Sequence, residues 1–350
     1  MRRYYTRVCN FYYGKESKLL VSKKKTLPLN SNNEISFDHF EILSRKSKKK
    51  FPIKKINSLP KLLRKQINLD LKNVRSKKNN FANLNFKKIP NIMGVLNLTP
   101  DSFSDGGKFI YRKKGIDHAL KMFQSGANII DVGGESTRPG SNVVNKKLEW
   151  SRIEKTIKFI SKSIPLSLDT RKSELMEKGI KCGVKIINDV SGLSYDDKTI
   201  NILKKYKIPF IIQHSQGTPE NMQNNPQYNN ELLDIYDFFD DKIKFLRTIG
   251  IKHNNIIIDP GIGFGKNLKH NMNLISNISI FHSLGFPILV GNSRKKFIKD
   301  LTKINDTKSR IGGTVASSIF LMMQGVQILR IHDVNELLQG VKVFKELFKN

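Results

Sequence analysis

Two carboxylates and an amide stand at the ends of short apolar runs in this chain. Asp169 closes Pro165–Asp169, Asp259 closes Asn255–Asp259, and Asn188 lies near the end of Lys185–Val190. If these runs are buried strands of one sheet, all three side chains point into one mouth and can accept hydrogen bonds from a ligand there. Asp and Asn also cap helices that follow strands, but three at matching positions favour a shared site. Arg330 and His332 alternate along the last apolar run, so both lie on one face of it. A lone His on such a run is usually a satisfied core residue. Arg330 beside it changes that judgement and makes a positive pair suited to an anion.

Two loops add to this set. Asn97-Leu98-Thr99-Pro100-Asp101-Ser102-Phe103-Ser104-Asp105-Gly106-Gly107 carries two carboxylates and an aromatic, more than a turn needs. Asp131-Val132-Gly133-Gly134-Glu135-Ser136-Thr137-Arg138-Pro139-Gly140 pairs two glycines, which permit close backbone approach, with an Arg on a Pro-Gly turn suited to an anion. By contrast, Gly261-Ile262-Gly263-Phe264-Gly265-Lys266 imitates a phosphate loop without meeting its spacing. Residue 260 is Pro and residue 267 is Asn, where that loop needs Gly and Ser or Thr.

The elements that must position these residues alternate regularly after about Ile89. Eight apolar runs, Ile92–Leu98, Asn128–Val132, Pro165–Asp169, Lys185–Val190, Pro209–Gln213, Asn255–Asp259, Pro287–Val290 and Gln327–Ile331, read as buried strands. Segments of helical period separate them, among them Gly115–Gln124, Glu231–Leu246 and Glu336–Phe348. Eight strand–helix units in about 260 residues fit an α/β TIM (β/α)8 barrel. A doubly wound sheet competes, but polar Gly-rich signatures recur after strand after strand, and only a barrel gathers them at one mouth.

The bulk numbers exclude several classes. A hydrophobic fraction of 38% rules out global disorder, and two distant cysteines, Cys9 and Cys182, form neither a disulfide framework nor a metal-ligand spacing. The net charge of +32 is mostly scattered lysine, read as solvated surface rather than a nucleic-acid stripe. The most apolar stretch, Val315–Met323, is too short to span a bilayer, and Met1–Asn30 has no secretory core. Residues 1–88 form a basic N-terminal extension, either a small strand-bearing unit packed on the barrel or partly disordered. Its acidic residues Glu34, Asp38 and Glu41 argue against an organellar presequence, so cytoplasm is expected over mitochondrion.

The strings "MGVLNLTPDSFSDGG" and "GGESTRPGS" resemble the first two loops of dihydropteroate synthases. The resemblance continues in order through "LSLDT", "IINDVSGL", "QGTPENMQ", "IIIDPGIGFGK", "GNSRKKFI" and "ILRIHDVNE", covering residues 90 to 350. It implies a transferase of folate biosynthesis, which condenses 6-hydroxymethyl-7,8-dihydropterin pyrophosphate with 4-aminobenzoate and releases pyrophosphate. It implies pterin binding by Asp169, Asn188, Asp259 and Lys295, and a diphosphate site of Asn97, Arg330 and His332, with Asn97 also touching Mg²⁺. Thr137, Arg138, Phe264, Ser293 and Lys295 would surround the aminobenzoate. Asp105 and Arg138 would order the two loops in the reacting complex. The partners implied are these small molecules, with a homodimer compatible and neither membrane nor specific nucleic acid expected.

One motif departs from the family, which usually shows methionines around the histidine after the fifth strand. This chain has Gln213-His214-Ser215 there, replacing apolar surface against the pterin with polar groups. A pterin-binding methyltransferase on the same barrel, and a non-catalytic RNA-binding relative, are the rival functions. The first does not need "ESTRPG" and "SRK"; the second does not need every matched catalytic position intact.

Overall fold

The computed structural model describes residues 3–99, 108–136, 140–217 and 221–348. Its first part is a small antiparallel sheet: β1 (Tyr5–Tyr13), α1 (Gly14–Ser22), β2 (Leu27–Leu29), β3 (Asn32–Leu43) and β4 (Lys48–Pro52), followed by α2 (Lys61–Arg75). The long β3 is central, with β1 along one edge and β2 and β4 along the other. Val8, Phe37, Phe40 and Ile42 of the sheet pack on Ile67, Leu71 and Val74 of α2, a separate apolar cluster. The extension is therefore ordered through α2, and the apolar stretch Ile35–Leu43 is most of β3.

The second part winds through β5 (Asn91–Asn97), α3 (Lys108–Gln124), β6 (Ile129–Gly133), α4 (Lys146–Ile160), β7 (Leu166–Asp169), α5 (Ser173–Lys181), β8 (Ile186–Asp189) and α6 (Thr199–Tyr206). It continues through β9 (Phe210–Gln213), α7 (Glu231–Thr248), β10 (Ile256–Asp259), α8 (Leu268–Ser276), β11 (Leu289–Val290), α9 (Lys296–Thr302), α10 (Ile311–Met323), β12 (Ile328–Ile331) and α11 (Val334–Leu347). The strands form one parallel sheet in the order β10-β9-β8-β7-β6-β5-β12-β11. A parallel bridge between Ile258 and Ile288, with Ile258 N–H donating to Pro287 O at 3.0 Å, joins β10 to the start of β11. The architecture is the (β/α)8 barrel. Asparagines start several of its helices: Asn145 accepts from Leu148 N–H, Asn230 from Leu233 N–H and Asn267 from His270 N–H. Among the described residues, no helix is long and apolar enough to cross a membrane.

Strand alternation divides the barrel interior into layers. The lowest layer is apolar: Met93, Ile129, Ile186, Ile211, Ile257, Leu289 and Ile328. Leu84 and Phe86, at 1% and 2% exposure, plug it from below. The segment leading into β5 thus belongs to the barrel, and the compositional break near Ile89 falls a few residues inside it. Burying each such side chain stabilises the fold by roughly 1.5–3 kcal/mol.

The extension docks on the outside of the helical ring. Tyr5 packs edge-on against Tyr236 at 5.2 Å, Ser279 donates to Val8 O at 2.8 Å, and Asn73 donates to Ser283 O at 2.9 Å. Tyr13 donates to Met323 O at 2.8 Å and meets the ring of Phe344. Tyr5 and Leu43 join the barrel's own apolar core.

Candidate active site

Two residues above each apolar floor position, the alternation brings the next inward side chain. Ile129 leads to Asp131, Ile186 to Asn188, Ile211 to Gln213, Ile257 to Asp259 and Ile328 to Arg330. Met93 and Leu289 lead instead to Val95 and Gly291, so the second layer is mostly polar, and it lies at the C-terminal mouth, where barrel enzymes carry their sites. Asp169 and Asn97 end their strands at the rim, flanking Gly133.

One guanidinium organises this layer. Arg330 donates through Nε to Asp131 Oδ2 at 2.6 Å and through a terminal nitrogen to Asp169 Oδ2 at 2.7 Å. Asn188 Nδ2 donates to the same Asp131 oxygen at 2.9 Å. That bond fixes the amide so that Asn188 Oδ1, buried and without a partner, is left as an acceptor. Asp259 Oδ1 accepts the Gly261 N–H at 2.8 Å, leaving its second oxygen for a ligand. Gln213 is 4% exposed, and its Nε2 is a buried donor without a partner. Among the described residues, the cleft thus holds a buried acceptor, Asn188 Oδ1, and a buried donor, Gln213 Nε2, without partners, beside the second oxygen of Asp259.

Burial sets the electrostatics. It pushes Asp259 up to about 6, against Gly261 N–H and the cations Lys295, Arg330 and Lys266. Asp169 is also raised, by burial and by neighbouring Asp131, with Arg330 opposing. Lys295 is pushed down to about 8 by burial and by Arg330, and Lys266 to about 7 by burial. Lys266 donates to Phe264 O at 2.8 Å and lies 3.0 Å from His214 Nδ1. Burial and Lys266 hold His214 well below its ordinary value, so it is neutral and accepts that bond.

Above the polar layer, a cavity of about 510 Å³ is lined by Asn97, Phe264, Ser293, Lys295, Arg330 and His332, with loop residues from both sides. The Lys295 ammonium sits 4.0 Å from the centre of the Phe264 ring. His332 follows the last residue of β12; its Nδ1 is 3.0 Å from Ser293 Oγ, and its N–H donates to the same oxygen at 3.2 Å. Arg294 forks onto Asp333 at 2.9 and 2.5 Å, tying the loop after β11 to the start of α11. Gly261 and Gly265 have φ of +68° and +61°, and a Cβ on them would lie 2.0 Å from His214 O and 2.5 Å from Gln216 O. Only glycine lets this turn lie so close to the loop after β9.

The stem of the second loop is anchored below the rim. Glu135 accepts from Val144 N–H at 2.7 Å and pairs with Arg171 at 3.2 Å and Lys172 at 3.1 Å; Lys172 also pairs with buried Glu149.

Of the residues singled out from the sequence, Asn97, Asp169, Asn188, Asp259, Phe264, Ser293, Lys295, Arg330 and His332 converge on this mouth. Asp105, Thr137 and Arg138 lie outside the described residues. Asp131, Gln213 and Lys266 were not singled out as ligands. Asp131 stands two residues before Gly133, and Gln213 two after inward Ile211, so strand alternation was the signal that finds both. The polar departure on the fifth strand splits accordingly: Gln213 faces inward, His214 packs outward on Phe238 at 4.9 Å, and Ser215 lies beyond the strand.

Residues 93–332 match the profile of a family described as pterin binding enzyme. A dihydropteroate synthase from Synechocystis is 38% identical over 260 residues, covering 74% of this chain and 90% of that protein. The structure of Yersinia pestis dihydropteroate synthase in a sulfonamide drug complex aligns with a TM-score of 0.72 at 36% identity, over 76% of this chain and 97% of that one. The Xanthomonas albilineans dihydropteroate synthase in complex with 7,8-dihydropteroate aligns at 0.68 and 29% identity, over 75% and 95%.

Proposed function

This chain belongs to the dihydropteroate synthase family of pterin-binding enzymes, and from that membership we propose how its own residues divide the reaction. It is a transferase of folate biosynthesis: the amine of 4-aminobenzoate displaces pyrophosphate from 6-hydroxymethyl-7,8-dihydropterin pyrophosphate. The observation that carries the residue assignment is the polar layer, whose unpaired groups have the chemistry of a pterin edge. Asn188 Oδ1 and the free oxygen of Asp259 accept from the ring's amino and N–H groups, with Asp169 beside them. Gln213 Nε2 supplies a donor for a ring acceptor, and Lys295 closes over the bound ring.

Arg330 and His332 face the leaving diphosphate, where fixed cations stabilise growing charge without reorganising. Asn97 stands at the same rim. Among the described residues, no three His, Cys, Asp or Glu side chains are placed to hold a metal ion. Mg²⁺ keeps several waters and needs few protein groups, so an ion carried by the diphosphate would take Asn97 Oδ1 as its protein ligand. When bound, such an ion neutralises charge on the leaving group. Phe264, Ser293 and Lys295 hold the aminobenzoate, Thr137 and Arg138 are assigned to the same subsite by the family motif, and Asp105 and Arg138 order the two loops. The amine is already a nucleophile, so the residues bind, orient and exclude water.

We further infer a homodimer and a cytoplasmic setting. The helix α10 has no charged residue and exposes Phe320, in a chain with 62 Lys and Arg; such an uncharged face supports self-association. Cys9 and Cys182 are both free thiols, in keeping with a reducing compartment. Sedimentation at two concentrations and fractionation of cells check these two readings; a monomer at all concentrations overturns the first.

The functional test is pyrophosphate release from the dihydropterin pyrophosphate and Mg²⁺, with and without 4-aminobenzoate. Release that requires the aminobenzoate and yields dihydropteroate is expected. Pterin binding without turnover would instead mark a non-catalytic relative.

A further inference from the structure

The extension lies outside the residues matched to the family, yet it touches the barrel at a place with a route to the site. Arg45, in the turn between β3 and β4, forks onto two carboxylates of α7. One terminal nitrogen donates to Asp234 Oδ1 and the other to Asp237 Oδ2 at 2.8 Å. Tyr5 of β1 donates to the same Asp237 at 2.8 Å.

Asp234 does more than close an ion pair. Its second oxygen accepts the backbone N–H groups of Asn229 and Asn230, at 3.0 and 3.1 Å, just where the loop after β9 enters α7. From there the loop is stitched to the glycine turn after β10. Tyr228 donates to Gly265 O at 2.8 Å and Gln223 donates to Gly263 O at 2.7 Å. Gln216 braces the loop internally, donating to Gln227 O at 2.8 Å and accepting from Gln227 N–H at 3.0 Å. Phe264, between the two bonded carbonyls, lines the cavity with its ring against the Lys295 ammonium.

Each link is short and directional, and the glycine turn lies so close to this loop that a Cβ on Gly261 or Gly265 would strike its backbone. An Arg fork is geometrically demanding, so it fixes the orientation of α7's first turn and not merely its charge. We propose that Arg45 is a positioning residue for the reaction, holding the loop after β9, through Asp234, in the register that seats Phe264 under the aminobenzoate. The barrel thereby uses part of its appended sheet as an external brace for one wall of its active site. The proposal rests on the reading of Phe264 as part of the aminobenzoate site.

The test uses the full chain with Arg45→Ala and, as the conservative variant, Arg45→Lys. Amide hydrogen exchange reads the loop directly, and steady-state kinetics reads the site. In Arg45→Ala, exchange at Asn229 and Asn230 rises, and KM for 4-aminobenzoate rises about fivefold, the size of a coupling of roughly 1 kcal/mol between contacting groups. The value of kcat stays within about twofold, because the reacting geometry is regained once substrate is seated. Arg45→Lys, which keeps the charge but loses the fork, falls between. A variant with unchanged KM, whether or not exchange or melting temperature changes, overturns the proposal, as does a KM change without faster exchange at 229–230. Failure of the wild-type chain to turn over would strike the reaction assignment instead, and the exchange experiment would still report on the brace.

Discussion

Replacing Asp259 by Asn separates what this carboxylate does for the ligand from what it costs the fold. In the structure one oxygen is committed to the Gly261 N–H at 2.8 Å. An Asn at this position keeps that bond through its own oxygen, and its NH₂ group must then face the ligand. A donor confronts the pterin's donors where an acceptor stood. One charge-assisted hydrogen bond is worth about 1.5–3 kcal/mol, so affinity should fall about 10- to 150-fold, toward the upper end because of the confrontation. The pH dependence is a second signature. Burial lifts Asp259 to about 6, so wild-type affinity for a pterin falls as pH drops through about 6 and the acceptor becomes protonated. The variant loses that step. For stability the sign reverses: a carboxyl whose folded pKa is raised loses stability as pH rises from the ordinary carboxylate range through about 6. A shift from 3.8 to about 6 corresponds to about 3 kcal/mol at neutral pH. The unliganded variant should therefore be at least as stable as wild type at pH 8, although it binds more weakly. Titration calorimetry with 6-hydroxymethylpterin from pH 5 to 8, beside urea unfolding, measures both. Affinity within twofold of wild type, or an unchanged pH step, would refute the acceptor assignment.

Arg330→Met removes the only cation bonded to both Asp131 and Asp169 among the described residues. Turnover measured by pyrophosphate release should fall about 10²- to 10³-fold, and the melting temperature should drop because two buried carboxylates lose their partner; turnover within tenfold of wild type would count against it. Gly261→Ala places a methyl group 2.0 Å from His214 O at a φ of +68°. Urea unfolding should show a loss of about 3 kcal/mol or more, and a neutral result would mean the loop after β9 yields more readily than its bonds imply.

The eight strands were legible because each is a short apolar run followed or closed by polar or Gly-rich loop residues, and the structure places them within about two residues of the runs. Asp169, Asn188, Asp259 and Arg330 were legible for the same reason, since they stand at those closures. The inward placing of Asp131 follows from strand alternation, but its pairing was harder to see. Its partner Arg330 is 199 residues away, and no local pattern announces a contact made by wrapping a sheet into a cylinder. The brace through Arg45 was invisible for a similar reason: a lone Arg in a lysine-rich segment looks like solvated surface until α7 brings two carboxylates to it. Leu84 and Phe86 sit in a polar stretch whose composition resembles the extension, so the barrel's lower edge could not be placed from periodicity.

That lower edge has a consequence for traffic. With Leu84 and Phe86 filling the base, the barrel interior is closed from below, and the cavity lies on the C-terminal side. The groups suited to the pterin lie at its bottom, and those suited to the aminobenzoate lie nearer the rim. On the subsites proposed above, the deeper guest enters before the shallower one, and pyrophosphate departs past the place where the amine arrives. An order of events is thus written into the shape of the vessel, before any loop moves.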